Sequence, residues 1–101
     1  MTVADIRDKY QTIINNESAM LHGSPFKGQI MKAQDEQYIK YQAMSGAMYA
    51  FRYSQKARVV KWLSEQLTQY LNDALCNENA DVRQLSQWSA QVIEMMLKDL
   101  R

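Results

Sequence analysis

Turn-forming residues are scarce in this chain, with three Gly and one Pro among its 101 residues. A β-sandwich or barrel needs turn signals about every 8–12 residues, and this sequence does not supply them. Ala, Gln, Leu, Met, Lys and Glu, all of which favour helices, make up 48 of the 101 residues. The sequence therefore predicts an all-α fold. Its length indicates a single helical domain over residues 1–101.

Apolar residues recur at three- and four-residue spacing in four segments, as on one face of an α-helix. The predicted helices cover residues 3–21, 33–53, 56–76 and 80–99. The connections between them are short, so we expect a small antiparallel bundle of three or four helices.

Polar residues at the segment ends indicate where helices begin and end. Thr2 is expected to cap the first helix, with Asp5 in its first turn, and Asn77 or Asn79 to cap the last. Residues Gly23–Pro25 interrupt the pattern and predict a break, since Gly suits a left-handed C-cap and Pro the start of a helix.

The middle region admits a second arrangement, in which one long helix covers both central segments. The two apolar stripes do not join smoothly, because Ser54–Lys56 is polar. The sequence predicts either a kink there or one helix of about 40 residues. Such a helix would be about 60 Å long, longer than a domain of this size, and would need a partner chain to cover it.

The predicted core follows from the apolar faces of these helices. On this pattern Leu67→Ala should cost about 2–5 kcal/mol if its site is fully packed. The residues expected to be buried are Ile6, Tyr10, Ile13, Leu63, Leu67, Leu71, Leu85, Trp88 and Val92.

The sequence carries no recognisable catalytic, metal-binding or cofactor-binding motif. His22 and Cys76 are the single residues of their kinds; we interpret them as an exposed helix-end residue and a small packing residue. The neighbours Asp35 and Glu36 diverge by about 100° on a helix and do not face each other. We therefore predict no catalytic residue, no cofactor, no metal and no enzymatic activity.

The sequence also contains no recognisable targeting signal. The N-terminus has no basic start and no apolar run, so it does not resemble a signal peptide. No stretch of about 18 apolar residues indicates a membrane span. The expectation is a cytoplasmic protein that does not bind membranes.

Charge is unevenly distributed along the chain, although the net charge is only +1. Residues 37–64 contain five bases and no acid, and residues 65–101 contain six acids and three bases. The five bases are Lys40, Arg52, Lys56, Arg58 and Lys61. Six aromatic residues share their segment: Tyr38, Tyr41, Tyr49, Phe51, Tyr53 and Trp62.

Two interpretations of this basic, aromatic segment remain open. Cations interleaved with rings are typical of single-stranded nucleic-acid binding, where cations contact phosphates and rings stack on bases. Alternatively the rings are core residues, and Glu78, Asp81 and Glu94 of the acidic end neutralise the bases. The small net charge favours this second interpretation, or an acidic protein partner.

A strip of small residues lies within the second predicted helical segment: Ala43, Ser45, Gly46, Ala47 and Ala50. Gly46 inside a helical pattern costs about 1 kcal/mol relative to Ala, which indicates a bend or the close approach of another backbone. Met44 and Met48 flank it, and methionine is common at adaptable binding surfaces. The strip predicts either a tight crossing within one bundle or a subunit interface, and Gly46→Leu should then weaken association more than folding.

Together these observations favour a non-enzymatic protein-interaction module: a small adaptor, an inhibitor or an assembly subunit, expected to be a homodimer or to bind another protein. The small size would suit a phage or mobile-element protein that acts on a host protein. The alternative is a nucleic-acid-binding module using segment 38–62. The residues predicted to contact a partner are Met44, Gly46, Met48, Arg52, Lys56, Arg58 and Lys61.

Overall fold

The computed structural model describes residues 2–22 and 36–101, and the side chains of residues 2–16 and 39–101. Its four α-helices in these ranges are α1 (Val3–His22), α2 (Glu36–Ala47), α3 (Lys56–Cys76) and α4 (Ala80–Leu100). A 3-10 turn, Met48–Arg52, follows α2. About 90% of the described residues are helical and none lies in a strand, so the predicted all-α fold is confirmed.

Side-chain caps fix two of the helix starts as predicted. At the start of α1, the Thr2 amide donates to Asp5 Oδ2 (3.0 Å) and the Asp5 amide donates to Thr2 Oγ1 (3.2 Å). At the start of α4, Asn79 Oδ1 accepts from the amides of Asp81 (2.9 Å) and Val82 (3.4 Å). These bonds satisfy amides that have no partner inside their own helix.

The middle region is broken, so the prediction of one helix of about 40 residues is wrong. The chain tightens into the 3-10 turn after Ala47, and Tyr53 is extended, with its amide donating to the Ala50 carbonyl at 3.2 Å. Gln55 is also extended, and α3 begins at the next residue. The polar stretch around Ser54 therefore marks a turn between two helices. The predicted break at Gly23–Pro25 lies outside the described residues.

Helix α4 supplies the largest part of the core. It packs against α3 and α2 and also contacts α1, whereas α3 packs mainly against α4 and makes a smaller contact with the 3-10 turn. Within the described side chains, α4 buries eight residues: Ser86, Ser89, Ala90, Val92, Ile93, Met96, Leu97 and Leu100. The small ones suit a close approach of α2, which buries Ala43 and Ala47.

The predicted core is largely confirmed. Four of its members are buried: Ile6, Tyr10, Leu63 and Val92. Four others are half-buried: Ile13, Leu67, Leu85 and Trp88. Leu71 was predicted to be buried but is 44% exposed, because α1 and α2 do not extend over this part of α3. In the described part of the chain, no helix combines the length and apolar character needed to cross a membrane.

Candidate cationic and aromatic binding site

Basic and aromatic side chains meet where the 3-10 turn leads into α3. We call this group the cationic–aromatic cluster. It consists of Tyr49, Arg52, Tyr53, Arg58, Lys61 and Trp62. Tyr49 and Arg52 belong to the 3-10 turn, and Tyr53 follows it. Arg58, Lys61 and Trp62 lie in the first two turns of α3.

Arg52 is the centre of the cluster. Its guanidinium carbon lies 3.9 Å from the ring centroid of Tyr49, 4.5 Å from that of Tyr53 and 5.8 Å from that of Trp62. Its Nη2 also donates a hydrogen bond to the Tyr53 hydroxyl. Cation–π attraction to several rings holds a guanidinium in one orientation. Arg52 is nevertheless exposed, so its charge faces solvent in a fixed position.

The local backbone explains this arrangement. In a 3-10 helix, residues three apart stand directly over one another, and this places Arg52 over Tyr49. Tyr53 follows in extended conformation, and its ring centroid lies 4.5 Å from the same guanidinium carbon. Trp62 packs edge-on against Tyr49, with centroids 5.7 Å apart and planes at 63°. Because Trp62 also packs against the core, it anchors the cluster to the fold.

Two adjoining surface clefts open beside the cluster. The larger is about 390 Å³ and is lined by Tyr53, Arg58, Lys61, Trp62 and Glu65. The smaller, about 200 Å³, runs along the turn from Arg52 to Gln55 and shares Tyr53 and Arg58 with the first. The larger cleft thus offers two cations, two rings and one carboxylate to a ligand.

The start of α3 departs from the usual chemistry of a helix N-terminus. The positive end of the helix dipole is normally stabilised by acidic side chains and a polar cap. Here the first turn contains no acid, Lys56 and Arg58 stand in it, and Gln55 makes no side-chain cap. Charged residues that destabilise a helix locally are often retained because they take part in binding. Together with the helix dipole, Lys56 and Arg58 make this end of α3 electropositive.

No base of the cluster forms an ion pair with a described carboxylate, although Glu65 lines the same cleft as Arg58 and Lys61. Among the described side chains, the ion pairs are Arg7–Asp8 and Lys9–Asp99, and neither includes a base of the segment 52–61. Lys40 behaves differently from the other bases. Its Nζ lies 4.6 Å from the centroid of Trp88 on α4, so it contacts a ring of its own chain rather than joining the cluster.

The other predicted partner-binding residues lie on α2 and the 3-10 turn. Met44 and Met48 are half-buried and pack against the core, whereas Gly46 is exposed. Outside its own turn of helix, a Cβ added to Gly46 would meet no atom within 4 Å among the described residues, so none of the other described elements approaches it closely. On α2 the buried small residues are Ala43 and Ala47 instead. A role of Gly46 in a subunit interface stays a prediction.

The candidates for catalysis are not assembled into a site within the described residues. Cys76 is exposed, so its interpretation as a packing residue is wrong; it ends α3 where no other helix covers it. The side chains of His22, Asp35 and Glu36 lie outside the described ones. No group of three or more His, Cys, Asp or Glu side chains that could hold a metal occurs in the part of the chain that the structure describes.

Comparisons with protein families, with curated proteins and with solved structures find no match to this chain.

Most of the cations singled out from the sequence lie at this candidate site, whereas the arrangement of its side chains does not follow from the sequence. Arg52, Arg58 and Lys61 lie in or beside the clefts, while Lys56 is exposed in the first turn of α3 without lining the larger cleft. Glu65 was missed, although its position four residues after Lys61 places it on the same helix face.

Proposed function

We propose that this chain is a non-enzymatic protein-interaction module that binds an acidic segment of a protein through the cationic–aromatic cluster. The observation that carries the proposal is the position of Arg52, stacked among three rings on an exposed surface, with no ion pair to a described carboxylate. Arg, Tyr and Trp are the residues that most often supply the binding energy of protein interfaces. A guanidinium already fixed by rings loses little side-chain freedom on binding.

The electropositive start of α3 supports the same proposal. Lys56 and Arg58 add two charges at the positive end of the helix dipole, and Lys61 stands one turn further along. A carboxylate entering the larger cleft would meet Arg58 and Lys61, while an apolar neighbour contacts Tyr53 and Trp62. The cluster therefore favours a segment in which acidic and apolar residues alternate over a few positions.

Single-stranded nucleic acid is the second candidate ligand, because rings and cations lie side by side in the cluster. Two observations disfavour it. Arg52 already lies over the rings of Tyr49 and Tyr53, so one face of each ring is occupied and cannot stack on a base. The net charge of +1 and the acids of residues 65–101 would also repel a long polyanion.

We also propose that the four described helices run antiparallel along the chain. The three-residue connection over residues 77–79 supports this for α3 and α4, which pack extensively against each other, since connections of a few residues usually join antiparallel neighbours. The cluster would then lie at one end of the bundle and the connection between α3 and α4 at the other.

The test is a titration with two labelled probes, followed by fluorescence anisotropy over a series of salt concentrations. One probe is a peptide of alternating Glu and Leu residues, and the other is an oligouridine of similar length. We expect the peptide to bind more tightly, with a modest loss as salt rises. Arg52→Glu combined with Lys56→Glu should weaken that binding by at least about tenfold, since each reversal replaces an attraction by a repulsion.

Lys98→Glu combined with Arg101→Glu is the matched control, because it changes the net charge equally at exposed residues of the α4 end. The control should bind the peptide like the unchanged protein. Oligouridine binding tighter than micromolar that falls steeply with salt and disappears with the Arg52 and Lys56 changes would refute the proposal in favour of the nucleic-acid candidate.

A further inference from the structure

A second surface of the chain has the chemistry that the cationic–aromatic cluster would bind. We propose that the connection between α3 and α4 of one copy docks into the larger cleft of another copy, so that the chain associates head to tail. This inference rests on the proposed function, because it names a second copy of this chain as an acidic partner of the cluster.

Apolar side chains are exposed on both sides of that connection. Leu75 is 82% exposed, Leu71 is 44% exposed and Val82 is 36% exposed. Leu71 and Leu75 are four residues apart and therefore share one face of α3. Val82 lies in the first turn of α4, just beyond the connection. We call these three residues, with Asp73, Glu78 and Asp81, the α3–α4 corner.

The charges of the corner are opposite to those of the cluster. Residues 71–82 contain three acids and no base, whereas residues 52–64 contain four bases and no acid, and Glu65 adds one carboxylate to the larger cleft. The nearest base along the chain, Arg83, donates through Nη1 to the carbonyls of Asn77 (2.7 Å) and Glu78 (3.3 Å), so the corner keeps three acids against this one base. Two surfaces of opposite charge attract each other, and each chain has one of each.

The apolar parts of the two surfaces are also complementary. The larger cleft, about 390 Å³, is at the lower end of the range of about 300–1,000 Å³ in which proteins hold small ligands, so it has room for a leucine side chain. Leu75 would contact the rings of Tyr53 and Trp62. Glu78 and Asp81 would then face Arg58 and Lys61. This places an apolar anchor at the centre of the contact and charges around it.

Head-to-tail contacts differ from the two-fold interface of an ordinary homodimer. The corner and the cleft are different surfaces, so a contact between them leaves one free corner and one free cleft. Association therefore continues to longer chains or closes into a ring. Mixing two variants, each damaged on a different surface, distinguishes this arrangement from a symmetric one.

The experiment is sedimentation velocity of the intact protein at increasing concentration, at low salt and at about 0.5 M salt, where charge attractions are screened. We expect the mean mass to rise with concentration at low salt and less at high salt. Leu75→Gln should weaken association by at least about tenfold, and so should Arg58→Glu combined with Lys61→Glu. Leu75 is exposed, so its variant should keep the circular dichroism and thermal transition of the unchanged protein.

Two control variants match these changes. Met95→Gln alters an apolar side chain that is 48% exposed on α4, and Lys98→Glu with Arg101→Glu reverses two cations elsewhere. Both should associate like the unchanged protein. The decisive step mixes the Leu75 variant, which keeps its cleft, with the Arg58 and Lys61 variant, which keeps its corner. Neither should associate alone, and the mixture should form a one-to-one pair.

A mixture that stays monomeric, or association that survives Leu75→Gln and is lost with Gly46→Leu, would overturn the head-to-tail inference. An unchanged protein that remains monomeric at high micromolar concentration and low salt would also overturn it. The Glu–Leu peptide titration separates this failure from that of the proposed function. A monomer that binds the peptide in the cluster refutes only the self-association, and a monomer that does not bind the peptide refutes both.

Discussion

The phenol of Tyr10 donates a 2.8 Å hydrogen bond to Asp99 Oδ2 and so joins α1 to the last turn of α4. Lys9 Nζ lies 2.9 Å from the same oxygen. Tyr10 is almost completely buried, so its hydroxyl needs this partner. Two neighbouring residues of α1 therefore hold one carboxylate, which fixes where α1 lies on α4.

Asp99→Asn should remove a stabilisation that depends on pH. The hydrogen bond from Lys9, and then that from Tyr10, lowers the pKa of Asp99 below its ordinary value of 3.8. A carboxyl whose pKa is lower in the folded state stabilises the fold above the unfolded-state pKa and loses that contribution as the pH falls through the folded-state pKa. Urea unfolding should show the variant to be less stable at about pH 7, with the difference shrinking below about pH 4. A difference that is constant with pH would show that the charge of Asp99 is irrelevant.

Tyr10→Phe tests the opposite end of the pH range. Burial, and then the hydrogen bond to Asp99, raises the pKa of Tyr10 above its ordinary value of 10.0. A group whose pKa is raised by folding stabilises the fold fully below the unfolded-state pKa, and that contribution is lost at higher pH. The unchanged protein should therefore lose stability above about pH 10 more steeply than the variant. Thermal unfolding across the alkaline range measures this, and parallel curves would contradict it.

Leu63→Ala and Leu71→Ala form a pair that tests where the core ends on α3. Leu63 is fully buried, so its truncation should cost about 2–5 kcal/mol of unfolding free energy. Leu71 is 44% exposed, and its truncation should cost less than about 1 kcal/mol. Leu67, which lies between them, is half-buried and should fall between the two values. Denaturant unfolding of the three variants gives the order, and equal costs at Leu63 and Leu71 would place the second leucine in the core.

Gly46→Ala should stabilise the isolated chain by about 0.5–1 kcal/mol. Gly46 is exposed inside α2, none of the described glycines has a positive φ, and the added Cβ would meet no atom within 4 Å. The substitution therefore improves helix propensity without strain. A rise in the thermal midpoint checks this. A loss of stability would mean that another backbone approaches Gly46, as in the subunit interface that its sequence context suggests.

The helices could be predicted closely because local chemistry determines them. The apolar period locates α1, α3 and α4. The caps at Thr2 and Asn79 set the first turns of α1 and α4 independently of tertiary contacts. Local sequence does not locate the break before α3 as clearly, because no Gly or Pro marks it. It depends on how the 3-10 turn packs against α1 and α3.

The exposure of Leu71 and the stacking at Arg52 could not be predicted from periodicity. The pattern gives the face of α3 that is apolar, but how far other helices cover that face depends on where α1 and α2 pack. Similarly, the sequence places Tyr49, Arg52 and Tyr53 near one another, but only the change from 3-10 to extended backbone puts the two rings around the guanidinium.

The central position of α4 has a consequence for the order in which the fold forms during synthesis. The ribosome makes α1, α2 and α3 before α4, yet the apolar faces of α2 and α3 pack mainly against α4. While α4 is still inside the exit tunnel, core residues of α3 such as Leu63 lack the helix against which α3 mainly packs. In the nascent chain α2 and α3 therefore stay incompletely packed, and accessible to chaperones, until α4 emerges and they close on it.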